Sequence, residues 1–165
     1  MSATSSTSGA AIGANAMIPR VVPVSPEHRD AWEKLYAGYA EFYRVTQIPE
    51  MRATVWGWLQ DPEHEVEGFV ALDQNDRPIG LAHFRAFARP LAATTGGFLD
   101  DLFVAPDARG SGAAQALIDA VVEAGRGRGW TVIRWITADD NYRARSAYDR
   151  IAGRTKWITY EIKTP

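Results

Sequence analysis

The chain has 165 residues, a formal net charge of −2 and no cysteine. That length suits one α/β or α+β domain with a sizeable core. The near-neutral balance and scattered Lys and Arg give no reason to expect nucleic acid or an anionic membrane as the main partner. The missing cysteine excludes disulfides, thiolate metal sites and a Cys nucleophile, and is compatible with a reducing cytoplasm.

Met1 to Met17 is rich in Ser, Thr, Ala and Gly, without a positive n-region or an apolar h-region. It reads as a flexible tail (1–17) ahead of a single domain (18–165), and not as a signal peptide. No stretch has the length of a transmembrane helix. Arg20 to Val24 contains Pro23 and suits a short edge strand. Ser25-Pro26-Glu27 is a helix-start signal. Trp32, Leu35, Tyr36, Tyr39, Phe42 and Tyr43 then recur at three- and four-residue steps, the pattern of an amphipathic helix with an aromatic face. Ile48-Pro49 interrupts it, and Met51, Val55, Trp56 and Leu59 predict a second helix ending near Asp61-Pro62.

Val66 to Leu72 and Ile79 to Phe87 read as strands of a hairpin around the turn-forming run Asp73 to Pro78. Arg89 to Gly97 reads as a loop, and Phe98 to Val104 as a third strand stopped by Pro106. Gln115 to Ala124 is helical in pattern, with Leu117, Ile118, Val121 and Val122 on one face. Thr131 to Thr137 reads as a strand, Asn141 to Ile151 as a helix, and Trp157 to Ile162 as a closing strand. The order β-α-α-β-β-β-α-β-α-β, with an antiparallel front half feeding a β-α-β unit, predicts a mixed sheet.

Between the third of these central strands and its helix lies Pro106-Asp107-Ala108-Arg109-Gly110-Ser111-Gly112-Ala113-Ala114. Two glycines allow a sharp turn with N–H groups exposed to a ligand. The following helix aims its unpaired N–H groups and positive dipole end at the same place. Arg109 and the Ser111 hydroxyl complete an anion site for phosphate-sized groups. A plain glycine turn with a solvated arginine has the same local sequence. The P-loop and dinucleotide glycine spacings are both absent.

Leu99-Asp100-Asp101-Leu102-Phe103-Val104-Ala105-Pro106 followed by Arg109-Gly110-Ser111-Gly112-Ala113-Ala114 resembles the signature of the GNAT superfamily of acetyl-CoA-dependent N-acetyltransferases. Arg109, Gly112 and Ala114 match its Arg/Gln-x-x-Gly-x-Gly/Ala pattern. Asn141, Ala144 and Tyr148 match a second element, Asn-x-x-Ala-x-x-x-Tyr. The resemblance extends over nearly everything after the tail and is nearest to the small-amine branch that includes the diamine acetyltransferases, where a Glu-Asp pair stands at Asp100-Asp101. One departure is Ala152, at a position where the family usually has glycine.

The resemblance implies a mixed, mostly antiparallel α/β sheet flanked by helices and acetyl-CoA as acetyl donor, with no metal. It implies a pantetheine arm paired with the backbone of Leu102, Phe103 and Val104, a pyrophosphate on the amides of Gly110, Ser111, Gly112, Ala113 and Ala114 beside Arg109, and Asn141 and Ala144 lining the far side of the arm. A homodimer and a small-molecule amine partner follow by analogy. The expected reaction is direct acetyl transfer to the primary amine of an amino acid, polyamine or other aminated metabolite. Acetylation of a protein lysine or N-terminus, and a non-catalytic acyl-CoA sensor, are the rival readings.

The chemistry needs a neutral amine, a held oxyanion and a proton for the departing thiolate. Asp100 is the candidate base, directly or through water, against the alternative of a strand carboxylate paired for structure. Regular alternation sends Asp100 and Asp101 to opposite faces. Tyr148 is the candidate acid, against the alternative of core packing, and a backbone N–H near Leu102 or Phe103 is the candidate oxyanion donor. His28 and His64 read as surface residues and His83 as strand packing. Arg85 and Arg89, close to the expected cleft, favour a zwitterionic acceptor over a polyamine.

Overall fold

The computed structural model describes residues 17–164, so the tail expectation for Met1 to Ala16 lies outside the described residues. Five strands pair in the order β1-β2-β3-β4-β5: β1 (Arg20–Pro23), β2 (Glu67–Leu72), β3 (Pro78–Arg89), β4 (Thr94–Val104) and β5 (Ile133–Arg134). The first four are antiparallel neighbours, and β5 runs parallel to β4. The helices are α1 (Arg29–Phe42), α2 (Pro49–Gln60), α3 (Ala113–Gly127) and α4 (Tyr142–Tyr148). The fold is therefore the mixed, mostly antiparallel α/β type that the sequence predicts. The described chain divides into two compact units, one running to Arg134 with the sheet and α1 to α3, the other beginning at Trp135 and holding α4.

Within the first unit, the N-terminal part of the α1 stripe becomes core, Tyr36 and Tyr39 pack against it, and Phe42 and Tyr43 at its end are exposed. Trp32, Leu35 and Trp56 bury against Val70, Leu81 and Phe103. Leu117, Ile118 and Val121 of α3 form a second buried layer, and Leu117 lies beside Gly80 on the other face of β3. Burial of these side chains supplies the main driving force for closing helices onto both faces of the sheet. Among the described residues no helix is long and apolar enough to cross a membrane.

Three stretches differ from the sequence prediction. The expected loop Arg89 to Gly97 is mostly strand: β3 and β4 stay paired out to Arg89 and Thr94, joined by a tight turn at Pro90–Ala92. Gly96 and Gly97 read as loop residues, yet they sit in β4, Gly96 against Phe87 and Val132 and Gly97 under the Trp130 ring. A Cβ on Gly97 would lie 2.4 Å from the Trp130 ring, which marks close approach and not flexibility. The expected strand Thr131 to Thr137 is reduced to the two residues of β5. The closing strand Trp157 to Ile162 forms no ladder among the described residues, and Trp157, Ile158, Tyr160 and Ile162 are exposed. Its alternation supplies strand propensity, but a strand exists only through its partner's hydrogen bonds.

His28 also departs from its surface reading. It is buried, and its Nδ1 accepts from the Ser25 N–H at 3.1 Å in the turn that starts α1. His64 is half-buried, stacked on Trp58 and accepting from the Val66 N–H.

Candidate active site

The decisive local feature is a bulge in β4. His83 pairs with Asp101, but the next residue of β3, Phe84, pairs with Leu99, so Asp100 is the extra residue. A bulge resets the alternation of side chains. Asp101 faces α1, as does Phe103 two residues on, whose ring meets Tyr39. Leu99 pairs with Phe84, whose ring stacks on Phe69 and meets Trp130. Asp100 pairs with Arg85, two residues from His83 and on the same face. The bulge thus brings both carboxylates to the α1 face, where regular alternation had predicted opposite faces.

The two carboxylates have different partners. Asp100 is bound by Arg85, Nε to Oδ2 at 3.1 Å, and about a third of its side chain is exposed. Burial raises its pKa above the ordinary carboxylate value, although Arg85 pulls it down. Asp101 accepts from the Tyr36 hydroxyl at 3.2 Å and lies 2.8 Å from His83 Nδ1. The His83 side chain is 1 % exposed, and its other nitrogen, Nε2, accepts from Trp32 Nε1 at 2.9 Å. Burial first, and then the charge of Asp101, push the Tyr36 and Tyr39 phenols far above the usual tyrosine value. Both keep their protons, and Tyr36 serves Asp101 as a donor. Sequence reasoning missed the group of Trp32, Tyr36, His83 and Asp101. A histidine within the apolar run Ile79 to Phe87 was the available signal, because a buried ring nitrogen needs a partner.

The edge of β4 carries backbone groups. Ala105 N–H donates to the Ile79 carbonyl at 2.9 Å, so the alternating pattern turns the backbone groups of Phe103 and Asp101 toward β3 as well. Those of Leu102 and Val104 point to the opposite edge. There β5 pairs with β4 only at Gly97 and Phe98. The carrying residues of this open edge are therefore Leu102 and Val104. Phe103, expected to share in coenzyme pairing, has its backbone committed to β3 and its ring packed near Gly38 and Tyr39.

The glycine turn has the form an anion needs. Gly110 and Gly112 have φ of +84° and +85°, and a Cβ on either would meet nothing within 4 Å. Left-handed backbone of this kind favours glycine. Ser111 Oγ accepts from the Ala113 N–H at 3.3 Å, the first of α3. Among the described residues no protein acceptor meets the N–H groups of Gly110, Gly112 or Ala114. The free donors and the open space over both glycines fit a pyrophosphate. Arg109 lies over the Phe42 ring, 5.7 Å from its centroid, at the rim of a cleft of about 710 Å³ between α1 and the end of β4.

In the second unit, Asn141 caps α4: its Oδ1 accepts from the Ala144 N–H at 3.3 Å, and its Nδ2 donates to Thr137 Oγ1 at 3.4 Å. This fixes the Asn-x-x-Ala spacing through helix capping. Tyr148 ends the helix one turn further on, with its ring edge-on to Trp135 at 5.4 Å. Its carbonyl accepts from Ile151 and Ala152, so the helix exits in a turn although Ala152 replaces the usual glycine.

Residues 32–153 match the model of the acetyltransferase (GNAT) family. The chain belongs to that family. It is an acetyltransferase, and acetyl-CoA is the donor its family uses. It is 28 % identical over 142 residues to the D-amino-acid N-acetyltransferase HPA3 of Saccharomyces cerevisiae, covering 86 % of this chain and 88 % of the relative. Its fold matches the ribosomal-protein-alanine N-acetyltransferase of Brucella melitensis biovar Abortus 2308, with a TM-score of 0.75, 23 % identity, and 88 % and 99 % of the two chains covered. It also matches the aminoglycoside N-acetyltransferase AAC(6')-Iy solved with CoA, with a TM-score of 0.74, 19 % identity, and 87 % and 93 % covered.

Proposed function

We propose that this GNAT acetyltransferase acetylates the primary amine of a small zwitterionic molecule of the amino-acid class. The observation that carries the reading is the bulge of β4, which gathers Asp100, Asp101 and Arg85 on one face. An acceptor amine is a cation at neutral pH and needs an anion to hold it and a base to deprotonate it. An acceptor carboxylate needs a cation. Arg85 binds Asp100 through Nε, and its two terminal nitrogens have no hydrogen-bond partner among the described residues. They are free for a carboxylate, a pairing the planar guanidinium suits. The resemblance to a D-amino-acid N-acetyltransferase supports the same acceptor class.

The roles divide by environment. Asp100, its proton affinity raised by burial, takes the proton of the ammonium, directly or through one water. The acetyl donor supplies a thioester carbonyl as the electrophile. Arg109 and the free amides of Gly110, Gly112 and Ala114 hold its pyrophosphate, the Ser111 and Ala113 N–H groups being taken by Ala108 and the Ser111 hydroxyl, and the open backbone groups of Leu102 and Val104 hold its arm. The outward N–H of Leu102 is a preorganised donor for the oxyanion. Tyr148 delivers the proton to the departing sulfur. With no cysteine in the chain, direct transfer needs no acyl-thiol on the protein.

The test is a screen of amino acids of both hands, diamines, spermidine and lysine peptides with acetyl-CoA, reading thiol release. Amino acids should have the highest kcat/KM, and Arg85→Ala should weaken them selectively. A preference for diamines that Arg85→Ala leaves unchanged overturns the zwitterionic reading.

A further inference from the structure

Asp101 is the terminus of a hydrogen-bonded line that begins in the core. Trp32 Nε1 carries a hydrogen and only donates. His83 Nε2, 2.9 Å away, must therefore accept. A neutral imidazole that accepts at Nε2 carries its hydrogen on Nδ1, and Nδ1 faces Asp101 at 2.8 Å. The tautomer and its direction are set by a residue on α1 that is itself fully buried. Protonated His83 would carry a hydrogen on both nitrogens, and the one on Nε2 would meet the Trp32 N–H head-on. With its side chain 1 % exposed, the ring has no space to turn away.

We propose that Trp32 and His83 are positioning residues that hold Asp101 as a full, uncompensated anion, and that Asp101 is the group that binds the acceptor's ammonium while Asp100 removes its proton. This deepens the amine-acetylation reading above and rests on it.

With Nε2 accepting from Trp32, the ring offers Asp101 one hydrogen bond, from Nδ1 to Oδ2, and leaves the rest of the carboxylate for substrate. The other groups around Asp101 act the same way. Tyr36 from α1 is a protonated donor, Tyr39 beside it also keeps its proton, and Arg85 from β3 is engaged by Asp100 of β4. Among the described residues no lysine or arginine pairs with Asp101, whose side chain remains 21 % exposed and reachable. The two adjacent acids are thereby made unequal: one paired with arginine and proton-seeking, one hydrogen-bonded only by neutral groups.

The experiment uses the full chain with acetyl-CoA saturating and the best amino-acid acceptor of the screen. Asp101→Asn should raise the acceptor KM by about 10²-fold with the acetyl-CoA KM unchanged, since it removes a charge-assisted contact. Trp32→Phe removes the donor that fixes His83 Nε2 as an acceptor, so the ring's hydrogen is no longer held on Nδ1. Its acceptor KM should rise about tenfold, with the acetyl-CoA KM unchanged, as Asp101 loses a fixed donor. His83→Asn in the Trp32→Phe background keeps an amide donor to Asp101 with no tautomer to choose, and should recover the acceptor KM. A purely structural Trp32 would lower stability without moving the acceptor KM.

Nitrogen-15 NMR of the imidazoles gives an assay-independent readout. Wild-type His83 should carry its hydrogen on Nδ1 with Nε2 bare, and Trp32→Phe should let hydrogen appear on Nε2. A hydrogen on Nε2 of wild-type His83, or an acceptor KM untouched by Asp101→Asn in an enzyme that does acetylate amines, overturns the proposal. Failure of the wild type to acetylate any amine overturns the functional reading instead, and the NMR result then decides the Trp32–His83 lock by itself.

Discussion

The α1 face of β4 and the turn that leads out of the same strand are built from opposite materials. On the face, side chains do the work: Trp32, Tyr36, His83 and Arg85 set the charge and hydrogen bonding of two adjacent aspartates. In the turn the side chains are removed, and Gly110 and Gly112 leave space and bare N–H groups. The difference follows the ligand. An ammonium that must lose its proton needs carboxylates of tuned proton affinity, which only surroundings can supply. A phosphate at any working pH is already an anion, and fixed backbone donors suffice for it. Changes on the face should therefore alter turnover, pH dependence and acceptor binding, and changes in the turn should alter donor binding alone.

The largest expected effect is on the face. Asp100→Asn keeps the size of the side chain and removes the base, so kcat should fall by about 10³-fold, within the span for a positioned base, with acetyl-CoA affinity by calorimetry held. Equal losses in kcat and donor affinity would merge the two regions. Gly112→Trp is the converse. A bulky side chain at φ +85° fills the open space over the turn, and acetyl-CoA binding should weaken by about 10²-fold or more, given the worth of several charge-assisted hydrogen bonds. Circular dichroism checks that the variant is folded. Unchanged affinity in the folded protein would remove the turn from donor binding.

Tyr148→Phe belongs to neither region and calibrates both. It keeps the ring against Trp135 and removes the proton, so kcat should fall by about 10²-fold with stability retained. Turnover near wild type would assign the thiolate's proton to water.

The smallest effect concerns Arg85. Its charge lowers the pKa of Asp100, against the larger raising effect of burial. Arg85→Met removes the lowering influence, so the pKa rises further. Asp100 acts deprotonated, so the acidic limb of kcat against pH should move to higher pH and activity on that limb should fall. A shift to lower pH, or none, would show that another group sets the limb.

The amino-acid sequence by itself determined the features that are local. The glycine turn, the Asn141-x-x-Ala144-x-x-x-Tyr148 spacing, the aromatic face of α1 and the hairpin of β2 and β3 depend on neighbours within one turn or one strand, and periodicity and backbone sterics fix them there. The mixed sheet followed from the order of those elements. What only the tertiary structure decided depends on residues far apart in the chain. The bulge at Asp100 is a matter of register between two strands, invisible to alternation within one. Gly97 is a strand residue because Trp130 lies against it, and His83 has a role because Trp32, 51 positions earlier, donates to it. Trp157 to Ile162 has the alternation of a strand without the ladder, because alternation expresses a preference and pairing requires a partner.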